Sequence, residues 1–227
     1  MDIGERVARV RERIERARER AGRSGEVTLV AVTKTHPAEA VRAALAAGVA
    51  DAGENRVQEL EEKVAEVGRA AIRWHLVGHL QRNKAAKAVA LFDLIHSLDS
   101  LRLAEALSAA AVKSGGEVGA LVQVNASGEA SKGGFEPAEL VDAVGRIAEL
   151  PGMRVRGLMS MAAFTDDEAA VRRSFATTRE LLDEVARQVP ALAGRELSMG
   201  MSNDFEIAVE EGSTLVRVGS VLFGERG

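Results

Sequence analysis

Eight short apolar runs rich in Val, Ile and Leu alternate with stretches of helical periodicity along the 227 residues. That alternation predicts a (β/α)8 TIM-type barrel, with an extra helix ahead of its first strand. Strands separated by helices pair in parallel through right-handed crossovers. Eight such units favour closure over an open doubly wound sheet, and no G-x-G-x-x-G follows the first run. No linker or compositional break divides the chain, so residues 1–227 are expected to form a single domain.

The leading segment places Ile3, Val7, Val10, Ile14, Ala17 and Ala21 on one helical stripe. Glu5–Arg9, Glu12–Arg16 and Glu19–Arg23 are i,i+4 pairs on its polar side. These features predict a surface helix with one edge on the domain; an RNA-binding or partner helix is the alternative. Residues 27–33 (VTLVAVT) form the first strand and end at Lys34. Pro37 opens a helix that Gly48 ends. Residues 49–53 form the second strand, followed by a helix over 56–67. Residues 73–77 form the third before Gly78, with a helix near 83–90. Residues 94–97 and a helix over 100–113 follow. The fifth strand is 119–124, then a loop at 127–135 and a helix after Pro137. The sixth is 155–161, with a long helix over 166–188 that Asp166 and Asp167 open. Residues 196–199 and 215–218 complete the set, with short helices near 205–210 and at the C-terminal end.

Composition excludes several classes. There is no cysteine, so thiol catalysis, disulfides and Cys-based zinc sites are ruled out. No run of 18 apolar residues predicts a transmembrane helix, and the charged N-terminus lacks a secretory h-region. A net charge of −4 makes the chain a poor general nucleic-acid binder, since counterion release needs a basic face. His36, His75, His79 and His96 show no metal-binding spacing, so no metal is expected. Cytoplasmic residence is expected.

In such a barrel the chemistry gathers where the strands end. Those positions are Lys34, Asn55, Gly78, His79, Ser97, Asn125, Ser160, Ser202, Gly219 and Ser220. Lys34 ends an apolar strand. Desolvation there disfavours its charged form and leaves the neutral amine a Schiff-base nucleophile needs; the plain alternative is a lysine snorkelling to water. The segment 198–203 (SMGMSN) and the Gly219-Ser220 pair suit an anion such as phosphate, approached by backbone N–H groups and small hydroxyls. The alternative is two ordinary turns, with Ser202 as a helix N-cap. Arg217 sits inside an apolar strand and, if inward, lies under that site. It can only donate, so a ring nitrogen accepting from it stays unprotonated. A salt bridge with Glu54 is its other reading. Glu210 and Glu211 are expected to cover a solvated helix end.

The stretches VAVTKTHP (30–37), GENRVQE (53–59), WHLVGHLQRNK (74–84), IHSLDS (95–100), GLMSMAAF (157–164) and LSMGMSNDFEIAVEEGSTLVRVGSVLFGER (197–226) carry a resemblance. Together they resemble the YggS/PROSC-type pyridoxal phosphate homeostasis family over nearly the whole chain. The resemblance implies an alanine racemase N-terminal domain-like barrel that holds pyridoxal 5′-phosphate (PLP). It implies a Schiff base on Lys34, phosphate contacts from Ser202, Gly219 and Ser220, Arg217 facing the pyridine nitrogen, and Asn55 beside the ring. Two positions depart from commoner family forms: His79 replaces proline, and Ser220 replaces threonine while keeping the hydroxyl.

A PLP carrier is expected in preference to an enzyme. An arginine opposite the ring nitrogen weakens the electron sink that most PLP enzymes use. Alanine racemases share that arginine, but they add a tyrosine base from a second domain. This chain has no tyrosine, and no second domain is expected. The implied role is intracellular PLP homeostasis by a monomer, with PLP-dependent apoenzymes as partners. A weak amino-acid racemase and an aldolase-type Schiff-base enzyme are the alternatives.

Overall fold

In the computed structural model, which describes residues 1–129 and 133–224, eight parallel strands close into one barrel in sequence order. They are β1 (Thr28–Val32), β2 (Asp51–Glu54), β3 (Arg73–Leu76), β4 (Leu94–Leu98), β5 (Val118–Gln123), β6 (Met153–Met159), β7 (Glu196–Ser198) and β8 (Leu215–Val218). Four residue pairs from Thr28↔Leu215 to Ala31↔Val218 join β1 to β8 and remove the sheet edges. Residues 130–132, within the expected 127–135 loop, and 225–227 lie outside the described residues.

The helices are α1 (Ile3–Arg20), α2 (Ala38–Ala46), α3 (Val57–Val67), α4 (Ala85–Leu91), α5 (Leu101–Ser114), α6 (Leu140–Ala148), α7 (Glu168–Gln188), α8 (Phe205–Glu210) and α9 (Ser220–Phe223). Their apolar faces cover the outer side of the strands. Alternation divides each strand between two environments. Leu29, Ala31, Val216 and Val218 point outward to α1 and α8, whereas Val30, Leu94, Leu121, Met159 and Leu215 meet inside the barrel. The apolar stripe of α1 is covered by the chain itself. Val7, Val10, Ile14 and Ala17 are buried there, each of the larger three contributing roughly 1.5–3 kcal/mol. A capping box between Asp2 and Glu5 starts this helix.

Two strands differ from expectation by more than one residue at an end. Gly48 takes a left-handed φ of 77°, and the Val49 N–H donates to Ala44 O at 3.0 Å. Val49 therefore closes α2 in a Schellman motif, and β2 begins only at Asp51. Strand β6 starts at Met153 and stops at Met159; the Ser160 N–H still donates to Ser198 O, and residues 161–164 then turn to the barrel mouth. Glu210 and Glu211 do not cover a solvated end. They are ion-paired with Arg20, Arg172 and Arg179, which lash α8 to α1 and α7.

Gly200 is required where β7 turns into α8. Its φ is 86°, and a Cβ would lie 2.6 Å from Ala208 Cβ and 2.8 Å from Phe205 Cα. Gly200→Ala is expected to cost about 1–3 kcal/mol in urea unfolding. A change within a few tenths of a kcal/mol would contradict that packing.

Candidate functional site

A cavity of about 1370 Å³ opens at the C-terminal ends of the strands. Lys34, Asn55, Ser202, Arg217, Gly219 and Ser220 all line it. They come from β1, β2, β7 and β8 or the turns just beyond, which the closed barrel brings to one mouth. Asn55 is held by close backbone packing. A Cβ on Gly78 would lie 2.4 Å from Asn55 O, so β3 can end beside β2 only with glycine there.

Lys34 is half-buried on a tight turn. The His36 N–H donates to Thr33 O at 3.1 Å, and Thr35 has φ 64°. Positive φ at that third position is the type II pattern, which glycine normally fills; a β-branched residue is strained there. The strain is held by a buried network beneath it. Lys63 Nζ donates to Thr33 O at 2.6 Å and to Glu54 Oε1 at 2.5 Å, and Thr33 Oγ1 donates to the same Glu54 oxygen. Burial pushes the Glu54 carboxyl above the usual range, against the hydrogen bonds of Lys63 and Thr33. Glu54 thus belongs to the wall behind Lys34 and does not pair with Arg217.

The end of the cavity at β7 and β8 is built by two turns. The Met201 N–H donates to Asp204 Oδ1 at 2.6 Å, and the Gly219 N–H donates to Ser202 Oγ at 3.3 Å. Ser202 is not an N-cap: Asp204 holds that position in α8, and Ser202 faces Gly219 across the cavity end. Ser220 begins α9, whose first N–H groups have no intrahelical acceptor. Small hydroxyls, open N–H groups and glycine suit a phosphate.

Arg217 forms the floor, only 5% exposed. Its Nη1 donates to Ser198 O at 2.7 Å and Ser198 Oγ at 2.5 Å; Nη2 donates to Ser160 O at 3.0 Å. Two of its five N–H hydrogens remain without a partner among the described residues. Burial lowers its pKa to about 10, and it stays a cation at neutral pH. A buried cation that lines a cavity with donors left over fits an acceptor on a bound ring.

Other strand-end residues diverge. Ser97 and His79 line the cavity, His79 beside Asp99 at 3.0 Å. Asn125 is turned toward Glu129 and Glu136, and Ser160 supports Arg217 through its carbonyl. Sequence reasoning missed Lys63 and the paired His75 and His96 below the floor. His75 and His96 occupy inward positions of adjacent strands, a signal visible once the inward face of each strand is assigned.

Burial, reinforced by His75 and Arg217, holds the His96 imidazole well below its usual range, so it is neutral in the fold. The unfolded chain binds a proton below about pH 6.5 that the folded chain refuses. Stability is therefore expected to fall as pH drops through that window, by at most about 1.4 kcal/mol per unit from this group. Urea titrations at several pH values test it; the slope should flatten in His96→Asn.

A closed parallel barrel of this kind is the fold of the alanine racemase N-terminal domain. The family model "Alanine racemase, N-terminal domain" matches residues 6–227. Within it, the chain belongs to the family of pyridoxal phosphate homeostasis proteins. A curated relative of that name from Aquifex aeolicus is 42% identical over 227 residues, covering 100% of this chain and 99% of its own length. The structure of PipY from Synechococcus elongatus with PLP bound is 41% identical, with a TM-score of 0.86 over 98% of this chain and 100% of that one. A Clostridium difficile alanine racemase shares the fold alone: 16% identity and a TM-score of 0.76, covering 95% of this chain and 58% of that chain.

Proposed function

We propose that the chain binds PLP as a Schiff base on Lys34 and serves PLP homeostasis without turning over a substrate. The observation that carries this is the convergence of Lys34, Arg217, Ser202, Gly219, Ser220 and Asn55 on one cavity. The PLP-bound PipY structure, matched over nearly the full length, supports it. Lys34 Nζ would condense with the ligand aldehyde and release one water. Ser202, Gly219 and Ser220 would hold the phosphate, Asn55 the side of the ring, and Arg217 the ring nitrogen. PLP supplies an electron sink when bound. Arg217 keeps that sink weak, because a permanent donor opposite the nitrogen disfavours its protonation.

The chain has no tyrosine, so it cannot offer the second base of a racemase by that residue. PLP-dependent apoenzymes are the partners this role implies. The burial of the α1 stripe within the chain favours a monomer, and the absence of cysteine fits the cytoplasm. No helix among the described residues is long and apolar enough to cross a membrane.

The test loads purified protein with PLP and records absorbance after dialysis, then assays amino-acid racemisation and decarboxylation. A retained band near the visible edge without turnover supports a carrier. Robust turnover of an amino acid replaces it with an enzyme, and a colourless protein after loading removes PLP altogether.

A further inference from the structure

Beneath Arg217, side chains of four strands form a buried hydrogen-bond chain through the barrel. Ser198 Oγ on β7 lies 2.8 Å from His96 Nδ1 on β4. His96 Nε2 lies 2.8 Å from His75 Nδ1 on β3, and His75 Nε2 lies 2.9 Å from Asp51 Oδ1 on β2. Asp51 also takes both arms of Arg73, whose side chain is exposed at the opposite end of the barrel. Asp51, His75, His96 and Ser198 are all buried, and none lines the cavity.

The chemistry of the two ends constrains the direction of each bond. Arg217 can only donate, so Ser198 Oγ accepts from it. Burial alone would raise the Asp51 carboxyl, but bonds from His75 and Arg73 hold it below the usual range, so it is an acceptor only. His75 Nε2 must therefore carry hydrogen. With both rings neutral, His75 Nδ1 accepts from His96 Nε2–H, and His96 Nδ1 accepts from Ser198 Oγ–H. Each ring then carries its hydrogen on Nε2. The only other arrangement with a neutral His96 reverses the upper bonds, and it needs a cationic His75.

We propose that His96 and His75 are positioning residues for Arg217, acting through Ser198 in a one-way chain that ends on Asp51. The chain keeps Nη1 turned down the barrel and leaves the two remaining N–H hydrogens of Arg217 for the cavity. Its consequence for the ligand rests on the proposed function, since Arg217 then meets the PLP ring nitrogen as a fixed donor. Without the Ser198 hydroxyl the guanidinium is held only by the Ser198 and Ser160 carbonyls, free to turn from the ring or tilt the ligand.

The chain itself is tested without PLP, by 15N NMR of histidine-labelled full-length protein at neutral pH. Both rings are expected as neutral Nε2–H tautomers. An Nδ1–H tautomer on either ring, or a cationic His75, would overturn the one-way chain. Its effect on the ligand is tested in the PLP-loaded protein by Ser198→Ala and Ser198→Thr. Ser198→Ala is expected to weaken PLP retention about tenfold and to shift the pH midpoint of the bound absorbance band, on the scale of one lost charged hydrogen bond. Ser198→Thr, which keeps the hydroxyl, is expected to restore both. A tenfold loss with the band and its midpoint unchanged would reduce the chain to a structural part and overturn the proposal. So would wild-type behaviour of Ser198→Ala. If Ser198→Ala does not fold, His96→Asn carries the same readouts. A wild-type protein that retains no PLP while showing the Nε2–H tautomers would fault the proposed function and leave the chain intact.

Discussion

Lys34→Ala is expected to lower PLP retention on the order of a hundredfold or more, because the covalent anchor is lost and only phosphate and ring contacts remain. The bonds of Thr33, His36 and Lys63 that hold the turn after β1 remain in the variant. Urea unfolding of the variant separates loss of the anchor from loss of the fold. Equilibrium dialysis with absorbance readout measures the loss. Retention within about twofold of wild type would mean that Lys34 is a snorkelling strand-end lysine.

Lys63→Met is expected to destabilise the chain by about 3–5 kcal/mol, the scale for breaking a buried ion pair from one side. Lys63 Nζ is the cation beside Glu54, which is fully buried and has a second carboxyl oxygen without a partner among the described residues. Removing the amine leaves the buried Glu54 with only the Thr33 hydroxyl, and Thr33 O with only the His36 N–H. The double variant Lys63→Met with Glu54→Leu should recover much of the loss, since two apolar side chains need no partners. Glu54 also gives the pair a pH signature. Its folded pKa is raised, so its contribution is fully present below the unfolded value near 4.3 and is lost as pH rises through the folded one. A cost under about 1 kcal/mol for Lys63→Met would show that the pair is relaxed or hydrated.

The barrel was legible because its signals are local. Runs such as residues 27–33 and 215–218 are short, β-branched and bounded by Gly, Pro or polar residues, so each announces itself. Closure then gathers strand ends, and eight of the ten strand-end candidates, with Arg217 from inside β8, line one cavity without any pairwise evidence between them. What stayed hidden depends on contacts across the fold. His96 and Ser198 are 102 residues apart, and nothing near either announces the other. The Glu54 salt bridge, the alternative reading of Arg217, rested on a buried arginine asking for a carboxylate; carbonyls and a serine satisfy it instead, and Lys63 on α3 already holds Glu54. The strained φ of Thr35 was equally invisible, since β-branched residues argue against the conformation that the turn imposes. The start of β2 was misplaced because Val49 is a good strand residue by type, while Gly48 assigns it to the end of α2.

The most direct test of the central claim is borohydride reduction of the PLP-loaded protein, followed by peptide mapping. Reduction should fix the label irreversibly on the peptide that contains Lys34, in near one-to-one amount, with the remaining lysines unlabelled. A label on a different lysine, or none after loading, would contradict Lys34 as the anchor and return the cavity to an aldolase-type or other phosphate-binding barrel.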